Sequence, residues 1–359
     1  MDATAKAGHS RGGQAGPHGR SPAAGQRRER GDGRGNETAY GALDLGTNNC
    51  RLLVACPSEH GFRVIDAFSR IVRLGEGLGR HGRLNEAAMD RTIDALRVCS
   101  NKLKWHRVGR QRLVATEACR LSANGADFIS RVAEETGLEL EIIDRETEAH
   151  LAAAGAEPLL AAEAETAVVF DIGGGSTEVM WVRRADAGAE VLAWISLSAG
   201  VVTLSERHGG GQDVAPERYD DMRADVSRLL QPFLADVRAL PGGDGGPDHL
   251  LGTSGTVTTI AGVHLGLRHY DRSRVDGCWL MSEEAERVTS HLRGLSYDER
   301  AANGCIGRER ADLVLAGCAI LDEIRAAFPG QRIRVADRGL REGILAQMMR
   351  ADGHLGRRS

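Results

Sequence analysis

No run of 18 or more apolar residues occurs anywhere in the chain, which leaves no candidate for a membrane-spanning helix. An apolar stretch of signal-peptide length is also missing near the start, so a soluble, unexported, cytoplasmic protein is expected. Cysteines are few: Cys50, Cys56, Cys99, Cys119, Cys278, Cys305 and Cys318. They are odd in number, form no CxxC pair and lie in apolar or small-residue runs, so they read as reduced core thiols, not as a disulfide framework. A strongly basic balance is absent as well, and the net charge of −4 argues against generic nucleic-acid binding. Arginine is nevertheless concentrated locally, at Arg70, Arg73, Arg80 and Arg83 and again at Arg107, Arg110, Arg112 and Arg120. Most of these are expected on solvated faces, with a few left for a polyanionic substrate.

An apolar content of 42% over 359 residues supports two domains. Residues 1–38 are rich in Gly, Arg and Ala and short of branched and aromatic side chains, and are expected to be a disordered tail. From Tyr40, three strand patterns ("YGALDLG", "CRLLVAC", "FRVIDAFSRIVRL") precede an amphipathic helix from Asn85 to Trp105. A strand "RLVATEA", a helix from Asn124 to Gly137, a strand "LELEIID" and a helix "TEAHLAAAGA" follow. At Thr166 the plan restarts with "AVVFDIG", "STEVMWV" and "EVLAWISLS", then a helix from Pro216 to Leu240, a strand "HLLGTSG" and a helix "TVTTIAGVHLGL". Helical patterns over Ser282–Leu295 and Arg310–Phe328, a strand "RIRVADRG" and a helix "LREGILAQMM" close the chain. Two related α/β domains facing each other are expected, over residues 39–160 and 161–337. Helix 338–350 should pack back on the first domain, with 351–359 as a tail.

The chemistry concentrates at two loops, "LDLGTNN" and "FDIGGGS". Each puts an aspartate where a buried strand meets a turn, and each leads into another strand. A P-loop would need GxxxxGK[ST] opening a helix, and a dinucleotide fingerprint would need GxGxxG between strand and helix. Neither fits. One such loop alone is most simply a tight hairpin with glycine supplying positive φ. Two copies at equivalent places in repeated domains point instead to glycine turns whose free N–H groups face an anion across a cleft. An aspartate aimed at phosphate is repelled by it unless a cation or an acidic proton mediates, so Asp44 and Asp171 suggest bound Mg²⁺ or the orientation of water. Glu178, on the strand after the second loop, could join them; the plainer alternative is an outward-facing strand residue.

A third loop, "LLGTSGTVTTIAGV", sets Thr253, Ser254, Gly255 and Thr256 between a strand and a helix start. That arrangement suits a phosphate or nucleotide, or ordinary helix capping. A base for hydrolysis could come from Asp144, Glu146 or Glu148 in "IIDRETEAH". Acidic residues in a first helical turn are usually dipole partners, so composition does not choose among them.

Taken in order, "ALDLGTNNCRLLVA", "RLGEGLG", "ATEACR", "IIDRETEAHLAAAGA", "FDIGGGSTEV", "GTSGTVTTIAG" and "ADRGLREGIL" resemble the exopolyphosphatase and guanosine pentaphosphate phosphohydrolase family from Tyr40 to Met349. The resemblance implies an α/β fold of two ribonuclease H-like domains, as in the actin and sugar-kinase superfamily, around an interdomain cleft. It implies Mg²⁺-dependent hydrolytic release of a terminal phosphate, with Glu148 as general base and a homodimeric assembly. The implied phosphate-holding set is Gly46, Thr47, Asn48, Asn49 and Arg51 from the first loop, Gly173, Gly174, Gly175, Ser176 and Thr177 from the second, Ser254, Gly255 and Thr256 from the third, and Arg120 from "ATEACR". Asp44, Asp171 and Glu178 would serve the metal.

Three positions depart from the family pattern. Asn49 stands where Ser or Thr is usual, Glu117 replaces a small residue, and His150 replaces an arginine. The last two alter the charge near the substrate path. The chain also stops soon after "LREGIL", where longer relatives carry a further helical domain that holds extended polyphosphate. Exopolyphosphatase activity is the expected function, with guanosine pentaphosphate hydrolysis in the same site as its alternative. A non-catalytic polyphosphate or alarmone sensor is the contrasting class, and a sugar kinase is disfavoured by the glutamate in "ETEAHL".

Overall fold

The computed structural model describes residues 38–59, 61–185 and 188–355. The expected tail over 1–38 lies, Thr38 apart, outside the described residues, as do 356–359.

Apolar runs broken by short polar turns produce the first layer. β1 (Tyr40–Leu45), β2 (Asn49–Ser58) and β3 (Gly61–Ile71) form an antiparallel meander. A one-turn α1 (Leu78–His81) and the long α2 (Glu86–Trp105) follow, the latter opened by Asn85, whose side chain accepts from the Ala88 N–H. β4 (Arg110–Ala115) lies parallel to β1; α3 (Glu117–Leu121), α4 (Gly125–Thr136), the short β5 (Glu141–Ile142) and α5 (Arg145–Ala156) complete the first half. Gly137 ends α4 with φ of 71°, the left-handed conformation that glycine adopts without a side-chain clash.

The second half begins with β6 (Thr166–Ile172), β7 (Thr177–Ala185) and β8 (Gly188–Leu197), followed by α6 (Val201–Arg207) and α7 (Pro216–Ala239). β9 (His249–Thr253) runs straight into α8 (Ser254–His264). α9 (Arg272–Val275), β10 (Trp279–Leu280), α10 (Ser282–Gly294), α11 (Tyr297–Ala302), α12 (Val314–Ala327), β11 (Ile333–Ala336) and α13 (Leu340–Ala351) finish it.

The sheet orders are β3-β2-β1-β4-β5 and β8-β7-β6-β9-β11-β10. Strand directions match pair by pair, β10 being an added antiparallel edge. Both outer hairpins break register at the fifth residue after the turn, between Val54 and Ala55 and between Trp181 and Val182. The repeat seen in the sequence is thus a repeat of topology, and the fold is actin-like.

Two helices exchange partners between the halves. α5, whose buried face is Ala149, Ala152, Ala153 and Ala156, packs on Ala167, Val169, Met180 and Val182 of the second sheet. α13 lays Leu340, Ile344, Leu345, Met348 and Met349 against Tyr40, Ala42 and Leu53 of the first sheet. The helices cross where a Cβ on Gly155 would overlap the Gly339 carbonyl and one on Gly343 would overlap the Leu151 carbonyl. Beyond α13, the Tyr40 hydroxyl donates to Asp352 at 2.6 Å.

Local pattern misplaced some boundaries. The strand expected over "RLVATEA" stops at Ala115 because Glu117 opens α3, and "LELEIID" pairs only over two residues. The helix expected from Arg310 begins at Val314, after a series of turns. α6 carries no side-chain N-cap signal and was not foreseen.

Candidate active site

Each glycine hairpin is closed the same way: Gly46 N–H donates to the Asn49 carbonyl at 2.9 Å, and Gly173 N–H to the Ser176 carbonyl at 3.0 Å. The turns meet face to face. A Cβ on Gly174 would stand 3.1 Å from Asn48 Cβ, and one on Gly175 would stand 2.5 Å from Thr47 Oγ1, so the absence of a side chain sets the approach of the two loops. α6 steadies the second loop from behind. Val201 and Val202 N–H donate to the Gly173 and Gly174 carbonyls at 3.0 and 2.8 Å, and Thr203 Oγ1 donates to the Gly175 carbonyl at 2.8 Å.

Between the loops lies a cavity of about 60 Å³, lined on one side by Asp44, Thr47, Asn48, Asn49 and Arg51 and on the other by Asp171, Gly173–Ser176 and Glu178, with Glu148 and Ser254 at its edge. Thr47 Oγ1, Asn48 Oδ1 and Asn49 Oδ1 are buried and have no hydrogen-bond partner. Buried polar atoms are normally paired, so three unpaired ones on one loop mark a place where a ligand supplies the partner.

Glu148 stands in the first turn of α5, a helix whose N-cap is Asp144, accepting from Thr147 N–H at 2.7 Å. Its Oε2 accepts from Arg120 Nη2 at 3.1 Å. Burial, and next the charge of Glu178, push its carboxyl well above the ordinary range. Glu178 is buried, its Oε1 accepting from Ser176 Oγ at 2.7 Å and Ser196 Oγ at 2.9 Å. It faces the cavity, and the outward-facing alternative does not hold. Burial and the neighbouring Asp171 raise it to about 7. Asp171 is raised to about 6, chiefly by burial and with help from Asp44, while Arg51 and a hydrogen bond from Ser254 oppose the shift. Asp44 is likewise raised by burial.

Both terminal nitrogens of Arg120 are engaged, and its buried Nε has no partner. It donates to Glu148, to the Ile143 carbonyl at 2.6 Å and to Glu117. Glu117, only 3% exposed, also accepts from Arg145 Nη2 at 2.7 Å. Burial alone would raise Glu117, but the hydrogen bonds from Arg145 and Arg120 win and hold it below the ordinary range. Arg120 therefore braces the carboxylates and is not a free guanidinium in the cavity. Thr177 also turns away, donating to the Ala199 carbonyl at 2.6 Å.

The third loop reaches the same place. Ser254 starts α8 with φ of 77°, a left-handed conformation rare for a residue with a side chain. From the loops the cavity opens into a cleft of about 780 Å³ that includes Arg51, Arg70, Arg308, Arg310 and Arg341. Gly255 lines this cleft too, and Thr256 a smaller space beside Arg310. Burial, and the nearby charge of Arg51, disfavour the charged form of Arg310. Two guanidiniums lining one cleft repel each other, and an anion between them relieves that repulsion. Nothing local in the sequence distinguished Arg310 from the surrounding charged residues; only the fold brings it to the cleft.

An actin-like pair of halves with glycine loops facing across a carboxylate-lined cavity defines a phosphoryl-binding class of protein. The chain belongs to the Ppx/GppA phosphatase family, whose pattern it matches over residues 53–352. Among solved structures it is similar to a Ppx/GppA family member from Aquifex aeolicus, with 28% identity over 89% of this chain and 99% of that one and a TM-score of 0.73. It is also similar to an exopolyphosphatase from Cytophaga hutchinsonii, with 25% identity over 88% and 98% and a TM-score of 0.80. An exopolyphosphatase-like protein aligns with 26% identity over 88% and 98%, also at 0.80. No described helix is long and apolar enough to cross a membrane.

Proposed function

We propose that this phosphatase-family protein is a Mg²⁺-dependent exopolyphosphatase that releases terminal orthophosphate from inorganic polyphosphate. The observation that carries it is the pair of glycine hairpins facing each other across a cavity of terminal-phosphate size, with the unpaired Thr47 hydroxyl on one side and the Gly174 and Gly175 backbone N–H groups on the other. The unpaired Asn48 and Asn49 Oδ1 atoms are acceptors and suit a water or a cation's hydration shell. The rest of the chain of phosphates would lie along the arginine-bearing cleft, whose described lining includes one aromatic ring, Tyr270, with its hydroxyl engaged by Asp337 at 2.7 Å. A wall of guanidiniums suits an anionic chain.

Glu148 takes a proton from water as the water oxygen attacks the terminal phosphorus. The bridging P–O bond breaks in line, and the shortened chain leaves as an anion beside Arg51 and Arg310. The Thr47 hydroxyl, the Asn48 and Asn49 side-chain N–H groups and the Gly174 and Gly175 backbone N–H groups hold the phosphoryl oxygens. Arg120 and Glu117 keep the Glu148 carboxylate in place. Among the described residues no three carboxylate, histidine or cysteine side chains are gathered as ready-made metal ligands. Mg²⁺ does not need them, since it is commonly held by one or two carboxylates with phosphate oxygens and water completing the shell. Asp171 and Glu178, with Asp44 nearby, are buried carboxylates whose charged forms their surroundings disfavour even with Arg51 close to two of them, and they fit that donor set. Bound there, the ion would neutralise charge developing on the phosphoryl oxygens.

The test is phosphate release from polyphosphates of graded length and from guanosine pentaphosphate, with Mg²⁺ and with chelator. A higher kcat/KM for long polyphosphate supports the proposal. A higher value for the pentaphosphate moves the assignment to that substrate, and tight binding without turnover of either moves it to a sensor.

A further inference from the structure

The segment Arg73–Gly79, "RLGEGLG", serves none of the roles above, yet it touches three parts of the site at once. Its backbone grips the first loop: Val72 and Arg73 N–H donate to the Asn48 carbonyl at 2.9 and 3.0 Å, and Gly75 N–H to the Thr47 carbonyl at 2.9 Å. Its other contacts reach the opposite half. Arg73 Nη1 and Nη2 donate to the two carboxylate oxygens of Asp312 at 3.0 and 3.1 Å, and Nη2 donates also to the Glu309 carbonyl at 2.9 Å. Gly77 N–H donates to Glu206 Oε1 at 3.0 Å. Glu206 belongs to α6, whose first turn holds the carbonyls of the second loop. Asp312 lies in the turn that presents Arg310, where Leu313 and Val314 N–H both donate to the Arg310 carbonyl.

Two further observations separate this from an ordinary surface ion pair. The pairing is two-pronged, a geometry that fixes orientation as well as distance. Arg73 also holds φ at 49°; among the described residues only Arg73, Arg107 and Ser254 are non-glycine residues with positive φ, and two of these three border this site. Such a conformation persists where the surroundings over-determine it, and clusters where geometry matters for function.

We propose that Arg73 is a positioning residue, whose pair with Asp312 sets the spacing of the two phosphate loops and places Arg310. It acts on phosphate binding, not on bond breaking. This rests on the phosphate-hydrolase function proposed above, and its test has one arm that does not. Arg73→Ala, Arg73→Lys, Asp312→Asn and the Arg73→Ala/Asp312→Asn double variant are assayed on long-chain polyphosphate with Mg²⁺, and the unliganded proteins by hydrogen exchange. Arg73→Ala and Asp312→Asn are expected to raise KM about tenfold with kcat within about threefold, with Arg73→Lys between them and wild type. The double variant should be no worse than either single one, because both remove one interaction. Exchange at residues 46–49 and 172–176 should accelerate together, while the middles of α2 and α7 stay protected. A kcat loss at unchanged KM, additive single effects, or unchanged exchange in both loops overturns the inference. If the wild-type protein releases phosphate from no substrate, the proposed function fails and the exchange result still decides the role of Arg73.

Discussion

Glu178 stands directly opposite Asp171 across the β6–β7 hairpin, in the same register that places Arg51 opposite Asp44 across β1–β2. One half thus carries an opposite-charge pair and the other a like-charge pair at the equivalent position. Like charges facing each other in a sheet are destabilising, and here burial compounds the effect. A repeated scaffold that keeps such a pair beside a phosphate-sized cavity is suited to a cation.

The raised carboxylates give metal removal a pH signature. With Asp171 near 6 and Glu178 near 7, the folded metal-free protein retains protons that the unfolded chain has already released. Its stability therefore falls as pH rises from the ordinary carboxylate range to about 7. The melting temperature of chelator-treated protein should drop over that interval, and Mg²⁺ should raise it far more at about pH 8 than at about pH 5. Equal stabilisation at both pH values would remove Asp171 and Glu178 as the binding carboxylates.

Replacing Glu148 by Gln keeps its size and removes the base. We expect kcat to fall by about 10²- to 10⁴-fold with little change in KM, since the phosphate loops are untouched. Retention of full kcat in purified Glu148→Gln protein would assign proton removal to another group.

Ser254 combines a strained backbone with a place at the mouth of the cavity. Ser254→Gly should relieve the strain and shift unfolding by about 0.5–1 kcal/mol in the stabilising direction or leave it level, the gain offset by a more flexible unfolded chain. Turnover should fall, because the hydroxyl facing Asp171 is lost. A variant both more stable and fully active would reduce Ser254 to a backbone element.

The crossing of α5 and α13 leaves no room for a methyl group. Gly155→Ala should destabilise the protein by about 1–3 kcal/mol, read as a lower denaturant midpoint. Gly294→Ala, at a position where a Cβ would meet nothing within 4 Å, should be neutral or mildly stabilising and serves as its comparison. Equal midpoints for the two variants would show that the helices can separate freely.

Much of the architecture was legible because it is written locally. Apolar runs, capping residues such as Asn85 and the paired turns at "LGTNN" and "IGGGS" act over a few residues, so the helices α2, α4, α7, α10 and α13 were placed within a few residues of their observed ends. α6 escaped because Gly200 carries no side-chain capping signal. Arg310 escaped because its significance depends on what lies opposite it.

The sequence by itself determined the repeat: two aspartate–glycine hairpins at matching points of matching strand patterns, together with the alanine-rich helix that bears Glu148. Only the tertiary structure decided which side chains meet. It turned Glu178 inward and Thr177 away, bound Arg120 between Glu117 and Glu148, and carried Arg73 across the cleft to Asp312, 239 residues further along the chain. Hydrogen bonds and ion pairs are short-range in space and indifferent to separation along the chain, so no local pattern encodes them.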